Sequence, residues 1–540
     1  MTRIKCITGQ LLIVALALAL PATVSAQQRQ GRSGSPPQRQ EQQQPQRQEQ
    51  QQQQRQEPQR QEQQQQPTEQ RRQATSGVLR LLPGDSVTEH SIELASGKTL
   101  AYTATAGTLA LYDQSGEQTA AVFYTAYVAK GVGDAPRPLT FGFNGGPGAA
   151  SAYLHLGLVG PKILQFGDRN DAATAQLRSN PQTWVEFTDL VMIDPVGSGW
   201  SRAAKSDGND AFRGVRRDAD FFAKVIALYI AKNGRSGSPK YLLGESYGGF
   251  RAAKVARALQ QDQGIAVSGV VMVSPMIEGA FTFGGDRFAL GAALNLPSLV
   301  AAELERTKSM SKEALAQAER FAMTEYLTTL AGPPPQGEAA RAFYARVANM
   351  TGISEEDVAK ARGFLRELYL KGLRSADGMA LSRYDGSFGI DDPFPESRSE
   401  RGGDPVLDGF TRAYAGAFVG YAGDELGFQT DITYVLLSTE TNGNWNWREG
   451  GRGEPSASDD LRILLAYNPS FRLVIAHGVS DLVTPYMPSR YVIDHLPPFT
   501  QPERVQLNLY SGGHMFYVAD EPRKSFSADM KAFFGAGKGS

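Results

Sequence analysis

The stretch Tyr241-Leu242-Leu243-Gly244-Glu245-Ser246-Tyr247-Gly248-Gly249 decides the fold of this chain. Its first residues are apolar and predict a buried strand, and residues 250–259 after it have the alanines and basic residues typical of a helix. Between them stands Gly-x-Ser-x-Gly, the sequence form of a nucleophile elbow, which is a tight turn that lifts one serine hydroxyl above a sheet edge. Gly244 and Gly248 are expected where side chains would collide with the neighbouring strand and helix. A plain glycine turn would give the same pentapeptide, so the interpretation depends on its flanks and on partners elsewhere in the chain.

Segments typical of strands and helices alternate on both sides of this elbow. An antiparallel meander with turns at Gly97, Gly107 and Gly116 is predicted from the β-rich segments 89–94, 99–104, 109–112 and 120–128. Buried strands are predicted at 139–143, 191–193, 270–273, 472–476 and 505–510, and helices at 218–232 and 525–534. This alternation predicts an α/β protein with a mostly parallel central sheet and helices on both faces.

The alternation stops between about residues 285 and 465. Helices are predicted there at 299–330, 338–350 and 355–373, and residues 374–460 are rich in the loop formers Gly, Asp, Asn and Ser. We interpret 285–465 as a helical and loop-rich insertion that forms a lid over the sheet edge. It would divide the α/β core into a first part at 76–284 and a second part at 466–540.

The N-terminus predicts export. Arg3 and Lys5 precede a short apolar run at 11–20, and Val24-Ser25-Ala26 has the small residues of a cleavage site. Because the run is shorter than the roughly 20 residues of a membrane span, we expect a signal peptide at 1–26, cleavage after Ala26 and a secreted or periplasmic protein. The alternative is an uncleaved anchor. Residues 27–75 are almost all Gln, Arg, Glu and Pro and predict a disordered tether, with a partner-binding or self-associating tail as the alternative.

Composition limits the partners. The formal net charge of the 540 residues is -1, which gives no argument for nucleic acid or for an anionic membrane surface. The only cysteine, Cys6, lies in the predicted signal peptide, so the mature chain would contain no disulfide. We predict no cofactor, no metal and no membrane insertion after signal cleavage, and we leave the oligomeric state open.

A serine hydroxyl becomes a nucleophile only when a base takes its proton, and that base needs an orienting acid. In α/β-hydrolase order the acid and the histidine follow the serine, each just after a late strand. His514 stands in a small-residue loop after the strand at 505–510, and Asp481 stands in a glycine-bearing turn after the strand at 472–476. We therefore predict Ser246 as nucleophile, His514 as general base and Asp481 as orienting acid.

These residue types have other interpretations. Asp481, viewed alone, could be an Asx-turn residue. His477 ends its strand and is expected to be a packed structural histidine. His495 lies in a helix-to-loop region that offers it no catalytic context.

Acyl transfer also requires N–H donors for the developing oxyanion. One donor is the backbone N–H after the nucleophile, here that of Tyr247, and the second should come from the loop after an earlier strand. The run Asn144-Gly145-Gly146-Pro147-Gly148 fits this second role because its glycines let the backbone approach a substrate closely. A phosphate-cradling loop is the rival interpretation, but the chain has no Walker lysine here and no Gly-x-Gly-x-x-Gly that opens a helix.

Taken together, these motifs resemble the serine carboxypeptidases, which are α/β-hydrolase-fold exopeptidases that remove C-terminal residues. The resemblance extends over residues 75–540 and is carried by Asn144-Gly-Gly-Pro-Gly, Asp194-Pro-Val-Gly-Ser-Gly-Trp-Ser201, Gly244-Glu-Ser-Tyr-Gly248, the turn of Asp481 and Gly513-His514-Met515. It implies that the N–H groups of Gly146 and Tyr247 form the oxyanion hole. It also implies that Asn144 and Glu245 bind the terminal carboxylate of the substrate.

The chain departs from the family pattern at three positions. The family usually has tryptophan where this chain has Gly142, and a core cysteine where it has Ala149. A family glutamate that pairs with the motif glutamate is replaced by Leu158. Part of the carboxylate-recognition apparatus is therefore absent or rebuilt, whereas the triad and the glycine loop are complete, so hydrolysis is better supported than C-terminal specificity.

Three functions follow from these observations. The first is an exported serine carboxypeptidase that cleaves peptides or proteins through an acyl-enzyme. Because Glu245 can bind another carboxylate only if one of the two holds a proton, an acidic optimum is expected for it. The second is an exported esterase, acyltransferase or other peptidase with the same triad. The third is a non-enzymatic binding protein tethered to the envelope.

Overall fold

The computed structural model describes residues 77–536 other than 132, 134–135, 168–170, 367, 370–377, 398–402, 450, 452 and 500. The signal peptide predicted for 1–26 and the tether predicted for 27–75 lie outside these residues. Within the described part of the chain, no helix combines the length and the apolar character that crossing a membrane requires.

A central sheet organises the molecule. Its strands are β1 Ser86–Glu93, β2 Thr99–Tyr112, β3 Gln118–Ala129, β4 Leu139–Phe143, β7 Asp189–Ile193, β8 Arg202–Ala203, β9 Lys240–Glu245, β10 Gly269–Val273, β13 Arg472–Gly478 and β14 Val505–Tyr510. Two small hairpins contain β5 Lys162–Gln165 with β6 Gln176–Ser179, and β11 Met379–Leu381 with β12 Gly389–Asp391. The order across the sheet is β1-β2-β3-β7-β4-β9-β10-β13-β14, and β8 pairs with β3.

The strand directions confirm the predicted α/β-hydrolase architecture. β1, β2, β3 and β7 pair antiparallel in succession. From β7 through β4, β9, β10, β13 and β14, every pairing is parallel. Because the carboxyl ends of parallel strands meet at one edge, the loops after β4, β9, β10, β13 and β14 open at the same edge of the sheet.

Helices cover the sheet and continue into the insertion. They are α1 Ala152–Leu154, α2 Val215–Lys232, α3 Tyr247–Asp262, α4 Gly279–Thr282, α5 Ala289–Arg306, α6 Lys312–Phe321, α7 Leu327–Ala331, α8 Gly337–Thr351, α9 Glu355–Lys360, α10 Pro405–Asp424, α11 Thr439–Gly443, α12 Ser458–Tyr467, α13 Tyr486–Asp494 and α14 Asp520–Ala536. A π-helical segment, Ala322–Tyr326, joins α6 to α7.

Both faces of β4, β7, β9, β10 and β13 are buried, which explains their largely apolar sequences, whereas the edge strand β14 is half-buried. In β9, Leu242 belongs to one hydrophobic cluster and Leu243 to the other. Helices α2, α3 and α12 pack in the cluster of Leu242, whereas α10 and α14 pack in the cluster of Leu243. The sheet therefore separates two hydrophobic cores, each closed by helices.

The helices of the predicted insertion share a third hydrophobic cluster. Helices α5, α6, α8 and α9 contribute, among others, Leu296, Phe321, Val347 and Val358. Leu482, which follows β13, belongs to the same cluster, so this helical layer packs beside Asp481 at the carboxyl edge of the sheet. The boundaries 285 and 465 stay a prediction.

Three local predictions are wrong, and one of them is the helix at 355–373, because α9 ends at Lys360 before Arg362, which has φ 53°. The strands predicted at 99–104 and 109–112 are one strand, β2, with Gly107 inside it. A Cβ atom on Gly107 would overlap the carboxylate of Asp85, so this glycine makes room for a side chain and does not form a turn. The helix predicted at 299–330 begins earlier, as α5, and stops at Arg306 before Lys308, which has φ 55°.

The prediction of a loop-rich region at 374–460 missed helix α10, which has 20 residues. Asp404 caps its start by accepting hydrogen bonds from the N–H groups of Val406 and Leu407, and Pro405 occupies its first turn. The helix buries Tyr414 and Phe418 in the core of the sheet. An Asp-Pro pair ahead of an apolar run was a signal that could have indicated it.

Candidate active site

Ser246 lies at the turn between β9 and α3. Its φ of 59° and ψ of -126° form a strained conformation for a residue with a side chain, which costs about 1–3 kcal/mol. The Ser246 N–H donates a hydrogen bond to the carbonyl of Val273 at 2.9 Å, which ties the turn to the end of β10. Residues 240–250 are all buried except Ser246, which is half-buried. The turn therefore leaves one side chain partly open to a substrate.

Gly244 and Gly248 are required by space, as the pentapeptide predicted. A Cβ atom on Gly244 would overlap the carbonyl oxygen of Gly248. A Cβ atom on Gly248 would lie 2.7 Å from the carbonyl oxygen of Phe143 in the neighbouring strand. A larger residue at position 248 would push the elbow away from β4, and one at position 244 would push α3 away from β9.

The predicted acid and base are hydrogen-bonded to each other. His514 Nδ1 lies 2.8 Å from Asp481 Oδ2, and both side chains are buried. Asp481 Oδ1 also accepts the N–H groups of Val483 at 2.8 Å and Thr484 at 3.0 Å. These donors fix the carboxylate in the plane where it can orient the imidazole ring.

The electrostatics of the pair favour an ionised acid. Burial raises the pKa of Asp481, but the charge and hydrogen bond of His514 and the N–H of Thr484 lower it further than burial raises it. Burial lowers the pKa of His514, but the charge and hydrogen bond of Asp481 and the charge of Glu245 raise it above 6.5. An ionised carboxylate can only accept, so Nδ1 carries the proton and Nε2 is the nitrogen that can receive one.

Two residues that the sequence analysis missed join the pair to the elbow. Ser274 follows β10, and its hydroxyl donates to the carbonyl of His514 at 2.8 Å. Thr484 Oγ1 lies 2.8 Å from Asp481 Oδ2, 3.0 Å from His514 Nδ1 and 2.8 Å from the carbonyl oxygen of Ser274. The spacing Asp-x-x-Thr was the only sequence signal for Thr484, since it is typical of a capped turn.

The segment before α10 also holds the histidine. The carbonyl of Tyr384 accepts the N–H of His514 at 2.6 Å, and the two rings meet edge to face with centroids 5.2 Å apart. A Cβ atom on Gly513 would overlap this carbonyl of Tyr384. The small residues around the histidine are therefore explained by a close approach of a distant part of the chain.

The glycine loop after β4 lies directly against the elbow. A Cβ atom on Gly145 would lie 2.6 Å from the backbone nitrogens of Tyr247 and Gly248. Gly146 has φ 97° and Gly148 has φ 99°, which favour glycine. Tyr247 is the first residue of α3, where backbone N–H groups lack partners within the helix and the helix dipole is positive. The two predicted oxyanion donors, Gly146 and Tyr247, thus belong to segments in contact.

Arg251, on α3, contacts the backbone of this loop. Its Nη1 donates to the carbonyl of Asn144, and its Nε lies 2.6 Å from Asp218 Oδ2. The guanidinium group is fully buried over the rings of Phe222 and Tyr247. A buried cation is retained here because Asp218 neutralises it and a backbone carbonyl uses its donor.

The two residues predicted to bind a carboxylate contact each other. The side-chain amide of Asn144 donates to Glu245 Oε2, and the Asn144 Oδ1 accepts the N–H of Leu154 at 3.1 Å. A third residue, Tyr517, was missed, and its hydroxyl donates to Glu245 Oε1 at 2.8 Å. Burial raises the pKa of Glu245 to about 7, although the charge of His514 and the hydrogen bonds of Tyr517 and Asn144 lower it. Glu245 can therefore hold a proton in mildly acidic solution.

The motif at 194–201 supports the glycine loop from outside the site. Asp194 accepts the N–H and the hydroxyl of Ser151, both at 2.8 Å. Ser198 donates its hydroxyl to the carbonyl of Gly148 at 2.8 Å. Residues 435–437 pair with both loops, through the bridges Ala149 to Leu437 and Gly199 to Val435.

The other two histidines after the elbow have different partners, and His477 is packed at the end of its strand, as predicted. His477 is buried with its Nε2 2.8 Å from Ser489 Oγ. His495 stacks on Tyr491 with ring centroids 4.1 Å apart. Among the described residues, no group of three or more His, Cys, Asp and Glu side chains is arranged to hold a metal ion.

Known proteins resemble this chain in sequence or in structure. A family model described as serine carboxypeptidase matches residues 99–290, which confirms the predicted resemblance over the part of the chain that contains three of the five motifs. The chain is similar in structure to Kex1, a prohormone-processing carboxypeptidase from Saccharomyces cerevisiae, with a TM-score of 0.49 and 15% sequence identity. The match covers 85% of this chain and 95% of Kex1. A proline iminopeptidase from Mycobacterium smegmatis has 15% identity, 80% and 98% coverage and a TM-score of 0.36. A monoglyceride lipase from Saccharomyces cerevisiae has 11% identity, 79% and 94% coverage and a TM-score of 0.33.

Proposed function

We propose that this chain, a hydrolase that belongs with the serine carboxypeptidases through residues 99–290, is exported and removes C-terminal residues from peptides or proteins. The observation that carries the proposal is the 2.8 Å contact of His514 with Asp481, at the sheet edge where the strained Ser246 elbow opens. Export, to the periplasm or the medium, is proposed from the predicted signal sequence at 1–26 alone.

In the proposed reaction, Ser246 Oγ attacks the carbonyl carbon of the last peptide bond while His514 Nε2 takes the hydroxyl proton. Asp481 stabilises the imidazolium that forms. The N–H groups of Gly146 and Tyr247 donate to the oxyanion. The C–N bond then breaks, His514 gives its proton to the leaving amino group, and an acyl-enzyme remains. Water repeats the sequence on the acyl-enzyme and releases the shortened peptide.

Recognition of the free C-terminus is proposed for Asn144 and Glu245. A substrate carboxylate close to Glu245 would be repelled by an ionised carboxylate but would accept a hydrogen bond from a protonated one. The buried position of Glu245 supports this role, because burial raises its pKa to about 7. A bound substrate anion would raise the pKa of Glu245 further.

The two titrations are coupled, since the charge of Glu245 contributes to the raised pKa of His514. Protonation of Glu245 removes that charge and so favours the neutral base that attack requires. We expect a bell-shaped profile with a mildly acidic maximum for peptides with a free C-terminus. For esters without a carboxylate, the rate should rise with pH as His514 loses its proton and then stay level.

The alternative function is an exported esterase, acyltransferase or other peptidase. It is favoured by Leu158, which is buried where serine carboxypeptidases have a second carboxyl group. With one carboxyl group instead of two, the site could accept substrates without a free C-terminus.

The test compares a blocked dipeptide with its C-terminal amide between pH 4 and 8, on the wild type and on Ser246→Ala. A carboxypeptidase should cleave the free acid at least tenfold faster, and Ser246→Ala should lose at least about 10³-fold in kcat. Equal rates on acid and amide would contradict C-terminal specificity and support the alternative. A fluorophosphonate probe that fails to label Ser246 in the wild type would contradict the hydrolytic mechanism itself.

A further inference from the structure

Tyr517 approaches the carboxyl group beside the nucleophile from the segment that follows His514. Its hydroxyl donates to Glu245 Oε1 at 2.8 Å, and Asn144 donates to Glu245 Oε2 from the opposite loop. Tyr517 has 0% and Glu245 has 3% of its surface exposed. Each oxygen of a buried carboxyl group thus has one protein donor, and the two donors come from different ends of the sheet edge.

The ring of Tyr517 occupies space that a glycine leaves open. A Cβ atom on Gly157 would lie 2.6 Å from Tyr517 Cε2. The next residue is Leu158, which is buried and stands where the resemblance places a second glutamate. The chain therefore has an apolar side chain in place of that carboxyl group, and a glycine beside it that lets a phenol hydroxyl contact Glu245.

We propose that Tyr517 is a positioning residue that takes the place of the missing second carboxyl group, orienting Glu245 and setting the pH above which peptides with a free C-terminus are no longer accepted. This inference rests on the proposed carboxypeptidase function. Tyr517 acts through Glu245 and is not expected to take part in the transfer of the acyl group.

The physical reason is the difference between a phenol and a carboxyl group as a neighbour. A second carboxylate beside Glu245 would repel its charge and raise its pKa, whereas a hydroxyl donor stabilises the ionised form and lowers it. Burial and the charge of Glu245 raise the pKa of Tyr517 well above its ordinary value, so its hydroxyl remains a donor throughout the range of an assay. Tyr517 should therefore lower the pKa of Glu245 and narrow the acid range of peptide cleavage.

Other titratable groups also face Glu245 and have to be considered. Those that interact with it electrostatically are His514, Asp481, Tyr517, Tyr153, Tyr384 and Tyr414. Burial raises the pKa of Tyr153, Tyr384 and Tyr414 above the ordinary value of 10.0, so these three stay neutral below pH 9. His514 is shared by every substrate, so an ester without a carboxylate reports the titration of His514, which Glu245 affects only through its charge.

The experiment measures kcat/KM against pH for a blocked dipeptide acid and for an ester of the same acyl group. In Tyr517→Phe the descending limb for the acid should move upward by about one pH unit, because Glu245 loses a hydrogen bond that favours its charged form. The ester profile should move much less than the acid profile, because Glu245 affects it only through its charge on His514. The kcat on the ester should stay within about twofold of the wild type.

Tyr414→Phe is the matched control. Tyr414 is fully buried, its hydroxyl also lies against Gly157, and that hydroxyl has no hydrogen-bond partner among the described residues. This variant removes the same atom from the same pocket, and we expect the wild-type profile for both substrates. Equal profiles in Tyr517→Phe and Tyr414→Phe would overturn the inference, as would a shift of the ester profile by the same amount.

Glu245→Gln keeps the inference testable if Tyr517→Phe does not fold. Without an ionisable group at 245, the descending limb for the acid should disappear, and a limb that persists would overturn the inference. A wild type that does not distinguish acid from amide would overturn the proposed function together with this inference. A wild type that distinguishes them, with an unmoved limb in Tyr517→Phe, would overturn the inference alone.

Discussion

Glu245→Gln is expected to make the folded protein more stable at neutral pH, even though it removes the group proposed to recognise the substrate. The pKa of Glu245 is raised by burial from 4.5 to about 7. A folded-state pKa above the unfolded one gives stability that is complete below pH 4.5 and lost as the pH rises to 7. The difference between pKa values of about 7 and 4.5, at about 1.4 kcal/mol per pH unit, corresponds to a loss of roughly 3–4 kcal/mol in the free energy of unfolding. Glutamine has no such titration, and its amide can still pair with Asn144 and Tyr517.

The measurement is the free energy of unfolding in urea at intervals from pH 4 to 8, for the wild type and Glu245→Gln. The difference between the two should be small at pH 4 and should grow by roughly 3–4 kcal/mol in favour of the variant by pH 8. Glu93→Gln, at an exposed position of β1, is the surface control and should run parallel to the wild type. A difference between Glu245→Gln and the wild type that stays constant from pH 4.5 to 8 would refute the reasoning, because Glu245 would then not hold its proton into the neutral range.

Two further substitutions test the glycine loop and its support. Gly145→Ala should lower kcat on esters and peptides by about 10²–10³-fold with little change in KM, because the new Cβ atom would lie 2.6 Å from the Tyr247 nitrogen and displace an oxyanion donor. The control Gly416→Ala, with open space around the residue, should retain activity. A fully active Gly145→Ala would contradict the proposed position of the oxyanion hole. Arg251→Met should reduce the free energy of unfolding by roughly 3–5 kcal/mol because it leaves Asp218 buried without its cation. The double variant Arg251→Met, Asp218→Leu should recover much of this loss in a denaturation assay. Equal losses in the single and the double variant would count against a charge effect.

Much of the candidate site could be predicted because its residues are constrained locally. Gly244 and Gly248 are dictated by collisions that any elbow of this type would have, and the glycine loop by its approach to the same turn. Asp481 and His514 were found through strand order, since each directly follows a parallel strand. Their roles as acid and base stay a prediction.

Tyr517 and Ser274 could not be predicted because nothing local marks them, and the spacing Asp-x-x-Thr marks Thr484 only as part of a turn. Tyr517 and Glu245 are 272 positions apart in the chain, and their contact exists only once two strands have been placed in the sheet. The same holds for Gly107 in β2, where a distant carboxylate, and not a turn, requires the absence of a side chain. Helix α10 was missed for a different reason, because its glycines hid an apolar face that only the folded core makes visible.

The pairing of residues 435–437 with the glycine loop and with the motif at 194–201 has a consequence for protein engineering. An exchange of the predicted insertion with that of a relative would cut the chain at 285 and 465. A replacement of that size would also remove the backbone that braces Ala149 and Gly199. It would remove the carbonyl of Tyr384 that accepts the N–H of His514 as well. A chimaera that is to keep its hydrolytic machinery should therefore exchange only the helices that end before Met379.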